Sequence, residues 1–183
     1  MQPCRLRAFG ATASLAVARM MAGERRREGL RHRSNLEHAK GPTMKRSASA
    51  VWKGGLKDGQ GTVSSESGAL SRTPYNFRQR FENEKGTNPE ELVAAAHAAC
   101  FSMALSLFMA NEGLTPDSIE TTATVTFENV NGAWTTTSSH LETRVKSPNA
   151  DPAKFHKAAD GAKAGCPISR LLSTTITLDA KLV

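Results

Sequence analysis

Residues 86–107, GTNPEELVAAAHAACFSMALSL, decide how this 183-residue chain folds. From residue 92 to residue 110 the one strongly polar side chain is His97. Such a run is long enough to approach a membrane span. Ala and Ser dominate it, however, a histidine stands near its middle, and no other segment supports a membrane reading. A helix that is apolar on every side is the central helix of a core, and its small residues permit close packing. Its start is written in two overlapping ways: Asn88 as cap with Pro89 and Glu91, or Thr87 with Glu90 as a capping box. Gly113 and Pro116 stop it, so the helix is expected over residues 88–111.

The flanking segments read as strands and shorter helices. Residues 46–52 and 60–66 alternate around the Gly-rich KGGLKDG and predict a hairpin. A short third strand is expected at 69–72, followed by the irregular TPYNFRQRFENEKG. Residues 119–128 and 134–146 are rich in Thr and Val and predict a second hairpin around Asn131-Gly132. A helix is expected over 151–164, started by Asp151 and Pro152 and broken at Gly165. A helical turn should follow at Cys166-Pro167, then a last strand over 174–182. Strands, long helix, strands, helix and strand make an α+β pattern without repeated strand–helix units.

Charge divides the chain. Residues 1–43 carry nine Lys/Arg against three Glu, whereas residues 44–183 carry fifteen against fourteen Asp/Glu. Of the net charge of +7, +6 therefore belongs to the leader, and without a binding motif it does not indicate nucleic acid. Three readings of the leader stand open: an Arg-rich transit peptide, a poorly formed secretory signal, or an over-long gene start with Met44 opening the folded part. Two domains are expected, a basic leader at 1–43 and a folded body at 44–183. Cys4 has no assigned role. Three cysteines do not make a disulfide scaffold, and the expected location is the cytoplasm.

The chemistry turns on Cys100 and Cys166. Free cysteine is often a buried structural residue, and an unassisted thiol, with a pKa near 8.5, is only a few per cent thiolate at neutral pH. Reactivity needs a nearby cation or dipole. His97 lies three residues before Cys100 on the same helix, a weak signal, and two ligands fall short of a metal site. Cys166, in AGCPISR, stands at the start of a helical turn, where a thiolate is favoured. The charged entrance RQRFENEKGTNPE, residues 78–90, combines arginine, carboxylates and an aromatic.

EKGTNPEELVAAAHAACFSMALSL together with KAGCP closely resembles the OsmC/Ohr family of thiol peroxidases, nearest its osmotically inducible branch. Further agreement runs through AVWKGGLKDGQGTVSSESGAL, PYNFRQRFENEKG, LTPDSIETTA and ITLDAKL, so the resemblance covers residues 44–183. It implies an OsmC-like fold, antiparallel sheets wrapped around the long helix in an intertwined homodimer. It also implies reduction of organic hydroperoxides, and of hydrogen peroxide less consistently, without a cofactor. Cys100 matches the peroxidatic cysteine, Cys166 the resolving one, Arg80 the arginine that stabilises the thiolate, and Glu90 the glutamate that orients it. Lys57 stands in the hairpin from which the other branch takes its arginine. The implied reductant is a dithiol, a lipoyl protein by family analogy. Tyr75, Phe77, Phe81 and Met103 are the expected walls for an apolar hydroperoxide tail, or else core residues.

Helix geometry adds one expectation. Glu90 and Cys100 are ten residues apart, ~15 Å along the axis and roughly 80° short of whole turns. A pair centred on Glu90 is thus poorly placed for the thiol of its own helix, and two long helices packed antiparallel in a dimer would join the two. Two other functions compete with a peroxidase: a non-catalytic ligand-binding stress protein of the same fold, and a Cys–His hydrolase using Cys100 and His97.

Overall fold

A computed structural model describes residues 43–82 and 84–183. The readings of the leader, and Cys4, lie outside them. The chain divides into Met1–Arg46 and Ser47–Val183, and the second unit carries the strands and helices from Ala48 to Leu182.

Its first sheet is antiparallel, with β1 (Ala48–Lys53), β2 (Gln60–Ser65) and β3 (Thr73–Asn76) in that order. Gly61 stands in register between Trp52 and Tyr75 on the two flanking strands. A Cβ there would lie 2.5 Å from the Tyr75 ring and 2.8 Å from Trp52. The absence of a side chain lets the two rings meet over the strand, centroids 5.4 Å apart. The expected strand at 69–72 is a correction, because β3 begins at Thr73. Serine hydroxyls explain the displacement. Leu70 N–H donates to Ser65 Oγ at 3.0 Å and Arg72 N–H to Ser64 Oγ at 2.9 Å, which takes those amides out of a ladder. Pro74 is tolerated because β3 is an edge strand.

A five-residue helix, α1 (Phe77–Phe81), occupies part of the segment expected to be irregular. Asn76 caps it by accepting from Gln79 N–H at 2.9 Å. The long helix α2 runs Pro89–Asn111. Of its two possible starts the Asn88 register is realised: Asn88 Oδ1 accepts from Glu91 N–H at 2.8 Å, and Thr87 Oγ1 donates to Glu91 Oε1 at 3.0 Å. The Asn88 amide also donates to the Gln79 carbonyl at 3.3 Å, joining the two helices.

One face of α2 is fully buried through His97, Phe101, Leu105 and Met109, spaced four apart. It packs on the second sheet, β4 (Ser118–Val130), β5 (Ala133–Lys146) and β6 (Thr175–Leu182), and on α3 (Pro152–Gly165). Asn131 and Gly132, both at positive φ (53° and 88°), form the two-residue turn of the β4–β5 hairpin. The sheet is not wholly antiparallel: β6 runs parallel to β5, because α3 and α4 (Pro167–Leu171) carry the chain back before the last strand. The first sheet does not wrap the helix within one chain. It meets α2 near its start, around a cleft lined by Ala50, Val63, Tyr75, Asn88, Pro89 and Leu92.

Gly165 ends α3, as expected, and with Gly161 one turn earlier makes a seat for Phe108. A Cβ on Gly161 would stand 2.6 Å from that ring. Overpacking costs about 1–3 kcal/mol against about 1 kcal/mol gained in helix propensity. Gly161→Ala should therefore lower stability by roughly 1 kcal/mol in a denaturant titration, contrary to the usual effect of that change on an open helix face.

Among the described residues nothing covers the opposite face of α2. Ala95, Ala96, Ala99, Met103, Leu107 and Ala110 are exposed, Met103 by 77% and Leu107 by 61%. By length and composition α2 would pass for a bilayer span. Its buried His97 and its packing against the second sheet make it a core helix with one bare apolar side.

Candidate active site

The structure brings the four candidate catalytic side chains together as two pairs. The first lies where α2 meets the junction of α3 and α4. Cys100, the twelfth residue of α2, and Cys166, between the two later helices, approach to 3.2 Å between sulfurs, both as free thiols. Cys166 is fully buried, and Cys100 is half-buried. Disulfide formation requires an S–S distance of about 2.05 Å, so only a small approach separates this pair from a bond.

The environments of the two thiols differ. Burial pushes Cys100 above the ordinary thiol value, and neighbouring Cys166 adds to that rise, against the favourable Ile168 N–H. Burial acts upward on Cys166 also, but the N–H groups of Ser169 and Ile168, the Cys100 thiol and the Ser169 hydroxyl outweigh it, so its pKa falls. Among the described residues, no cationic side chain acts on either sulfur. Within one chain, Cys100 therefore holds its proton more tightly than Cys166.

The second pair is Arg80 with Glu90, at the other end of α2. Two hydrogen bonds join them, Nη2 to Oε1 at 2.7 Å and Nε to Oε2 at 3.2 Å. This is the planar two-point geometry that lysine cannot copy. Aromatic rings hold the guanidinium from its other sides, Phe127 at 4.7 Å and Phe81 at 5.3 Å from the ring centroids. Trp134 stacks on Phe127 and meets Phe81 edge-on, with both centroid separations 5.1 Å. A cavity of about 300 Å³ opens beside Arg80, lined also by Trp52, Leu56, Tyr75, Phe77 and Phe81.

The structure thus unites Cys100 with Cys166 and Arg80 with Glu90, and leaves the two pairs apart along α2. Tyr75, Phe77 and Phe81 share one cavity with Arg80, whereas Met103 lies on the bare face of α2. His97 is not a base for Cys100. Its Nδ1 meets Ser139 Oγ at 2.8 Å and its Nε2 meets Ser169 Oγ at 2.9 Å, and burial lowers its pKa. Both ring nitrogens are occupied, which removes the observation a Cys–His hydrolase would need. Sequence reading missed Phe127, Trp134 and Trp52 around Arg80. The signal for Phe127 and Trp134 was the register of the β4–β5 hairpin, which brings residues on either side of Asn131-Gly132 together; Trp52 comes from β1 instead.

A family model described as OsmC-like protein matches residues 82–181. Peroxiredoxin OsmC of Escherichia coli (strain K12) is 51% identical over 140 residues, which span 76% of this chain and 98% of that protein. This chain belongs to the OsmC family. An organic hydroperoxide resistance protein of Xanthomonas axonopodis is 32% identical over 98 residues, 51% of this chain and 67% of the relative. Among solved structures, an OsmC-like protein from Mycoplasma pneumoniae superimposes with a TM-score of 0.61 at 18% identity, over 78% of this chain and 99% of that one. OhrB of Bacillus subtilis does so with a TM-score of 0.55 at 24% identity, over 75% and 98%. At those identities the structures establish the fold alone. The family match contains Glu90, Cys100 and Cys166 and begins two residues after Arg80.

Proposed function

We propose that this chain is a cysteine-based peroxidase that reduces organic hydroperoxides, and hydrogen peroxide less readily, in defence against oxidative and osmotic stress in the cytoplasm. The observation that carries it is the free thiol pair at 3.2 Å, in a chain half identical to a peroxiredoxin across nearly all of that relative. The Cys100 thiolate attacks the terminal peroxide oxygen. The O–O bond breaks, the alcohol leaves with a proton, and Cys100 becomes a sulfenic acid. Cys166 displaces its hydroxyl as water, forming a disulfide that shields Cys100 from irreversible oxidation. An external dithiol, such as a lipoyl protein, reopens the bond by exchange and leaves as its own disulfide.

The working unit is a homodimer. Three features support it: the bare apolar face of α2, the first sheet's lack of cover over the helix, and the separation of Arg80–Glu90 from the thiols. A second copy packed antiparallel along α2 covers that face and brings its Arg80 to Cys100. A cation within about 4–6 Å lowers the pKa of an acid by ~1–3 units, which reverses the upward push of burial on Cys100. The cavity beside Arg80 then receives the apolar tail of the hydroperoxide.

Counting thiols before and after one equivalent of cumene hydroperoxide tests the reading. Of three cysteines per chain, two should disappear, and a peptide linking Cys100 to Cys166 should appear by mass spectrometry. A non-catalytic binding protein of the same fold would keep all three.

A further inference from the structure

The β4–β5 hairpin changes register once. Pairing is regular from Ser118 with Lys146 to Thr126 with Ser138, and then moves by one residue, so that Phe127 faces Thr136 and Thr137 is left over as a β-bulge. A one-residue change of register exchanges the two faces of a strand. Continued in its first register, the ladder would pair Val130 with Trp134 and turn the indole away from Phe127. In the register present Trp134 opposes Asn129, and both rings stand on one face as diagonal neighbours. They stack with centroids 5.1 Å apart and planes 24° from parallel. The extra residue is tied down, since Thr137 Oγ1 donates to Glu128 Oε1 at 2.6 Å.

That face of the hairpin meets Arg80. Phe127 and Trp134 close a triangle with Phe81, whose ring centroid lies 5.9 Å from the first and 5.1 Å from the second. The guanidinium carbon stands 4.7 Å from the Phe127 centroid and 5.3 Å from that of Phe81. Among the described residues Glu90 is the one carboxylate in ion-pair reach of Arg80. It takes Nε and Nη2, which leaves Nη1 without a hydrogen-bond partner among the described residues. The Arg80 side chain is 35% exposed, and an ion pair that wet is a weak anchor for a side chain with this much rotamer freedom. The electron-rich face of Phe127 supplies a second anchor from a different element.

We propose that Phe127, with Trp134 stacked on it by the bulge, is a positioning residue that acts through Arg80. It holds the guanidinium in the orientation that keeps both bonds to Glu90 and presents Nη1 to the reacting sulfur. The inference rests on the reading that Arg80 stabilises the Cys100 thiolate. A phenyl ring carries no charge and donates no hydrogen bond, so its whole effect on the thiol passes through the cation it orients. Without the ring the guanidinium spends less of its time facing the sulfur, and the thiolate loses part of its stabilisation. An aliphatic side chain of similar size fills the space but lacks the electron-rich face.

Phe127→Leu should lower kcat/KM for cumene hydroperoxide about three- to tenfold near neutral pH. The pH midpoint of Cys100 alkylation by iodoacetamide, read on the Cys100 peptide by mass spectrometry, should rise by about half a unit to one unit. Phe127→Tyr, which keeps the ring, should stay within about twofold of wild type. Trp134→Leu, at a position 55% exposed, should move the midpoint the same way by about half as much, so the test stands if Phe127→Leu fails to fold. The deciding arm is a double-mutant cycle: in an Arg80→Ala background Phe127→Leu should change neither rate nor midpoint further. A midpoint that stays at the wild-type value, or an equal effect of Phe127→Leu with and without Arg80, would overturn the proposal. An unshifted Cys100 midpoint in Arg80→Ala alone would instead overturn the reading that Arg80 serves the thiol, and the two failures are thereby distinct.

Discussion

Arg80→Ala chains should lose about ten- to a thousand-fold in kcat/KM for an organic hydroperoxide near neutral pH, the range set by removing a cation worth ~1–3 units of thiol pKa. Mixing them with inactive Cys100→Ser chains should bring activity back. If the arginine serves the thiol of the other protomer, each mixed dimer holds one site with both residues intact and one with neither. Random exchange makes half the dimers mixed, so about a quarter of native activity should return. An arginine serving its own chain's thiol would leave every site broken, and the mixture would stay at the level of its parents. The structure gives the reason for expecting the first result. Glu90 anchors Arg80 by two hydrogen bonds at the start of α2, while Cys100 lies ~15 Å further along the axis. Arg80→Lys should recover only part of the loss, because one ammonium cannot hold both carboxylate oxygens in the plane that stacks on Phe127. A mixed sample that remains inactive after demonstrated subunit exchange would refute the shared site.

What the residues disclosed in advance, and what they did not, follows from the range of each interaction. The start of α2 at Asn88-Pro89, the start of α3 at Asp151-Pro152 and the Asn131-Gly132 turn are all decided within four residues, and the structure has each of them. The position of β3 was misplaced because side-chain hydroxyls of Ser64 and Ser65 claim the amides of the segment that alternates. Five residues of α1 are too few to show a period. The parallel pairing of β6 was hidden for a different reason: a strand's alternation records which face is buried and not the direction of its neighbour.

The site shows the same division more sharply. Cys100, Cys166, Arg80 and Glu90 were legible as residues through family resemblance, and the two pairings are present in the structure. The rings around Arg80 come from a hairpin whose tip lies about fifty residues downstream, and no local pattern points from one to the other. His97 reads in sequence as a neighbour of Cys100 on the same helix. Folding instead turns it inward, toward serines 42 and 72 residues away. A histidine's role here is set by what faces it, which sequence spacing along one helix does not contain.

The two thiols should fail in different ways when each is replaced. Cys100→Ser should abolish turnover outright, since the other thiol among the described residues, Cys166, is fully buried. Cys166 is the more acidic of the two within one chain, but it is fully buried, and an inaccessible thiolate is a poor first nucleophile. Cys166→Ser should therefore complete one turnover, release one equivalent of alcohol and stop at a Cys100 sulfenic acid that dimedone traps. Added excess peroxide should then drive that protein to the sulfinic form, a gain of 32 Da for two oxygens, far faster than wild type, because the disulfide that diverts the sulfenic acid is lost. The opposite pattern, with Cys166→Ser inactive from the first equivalent and Cys100→Ser giving the single burst, would reverse the roles. The lowered pKa of Cys166 would then mark the attacking thiol, and the upward push on Cys100 would mark the resolving one.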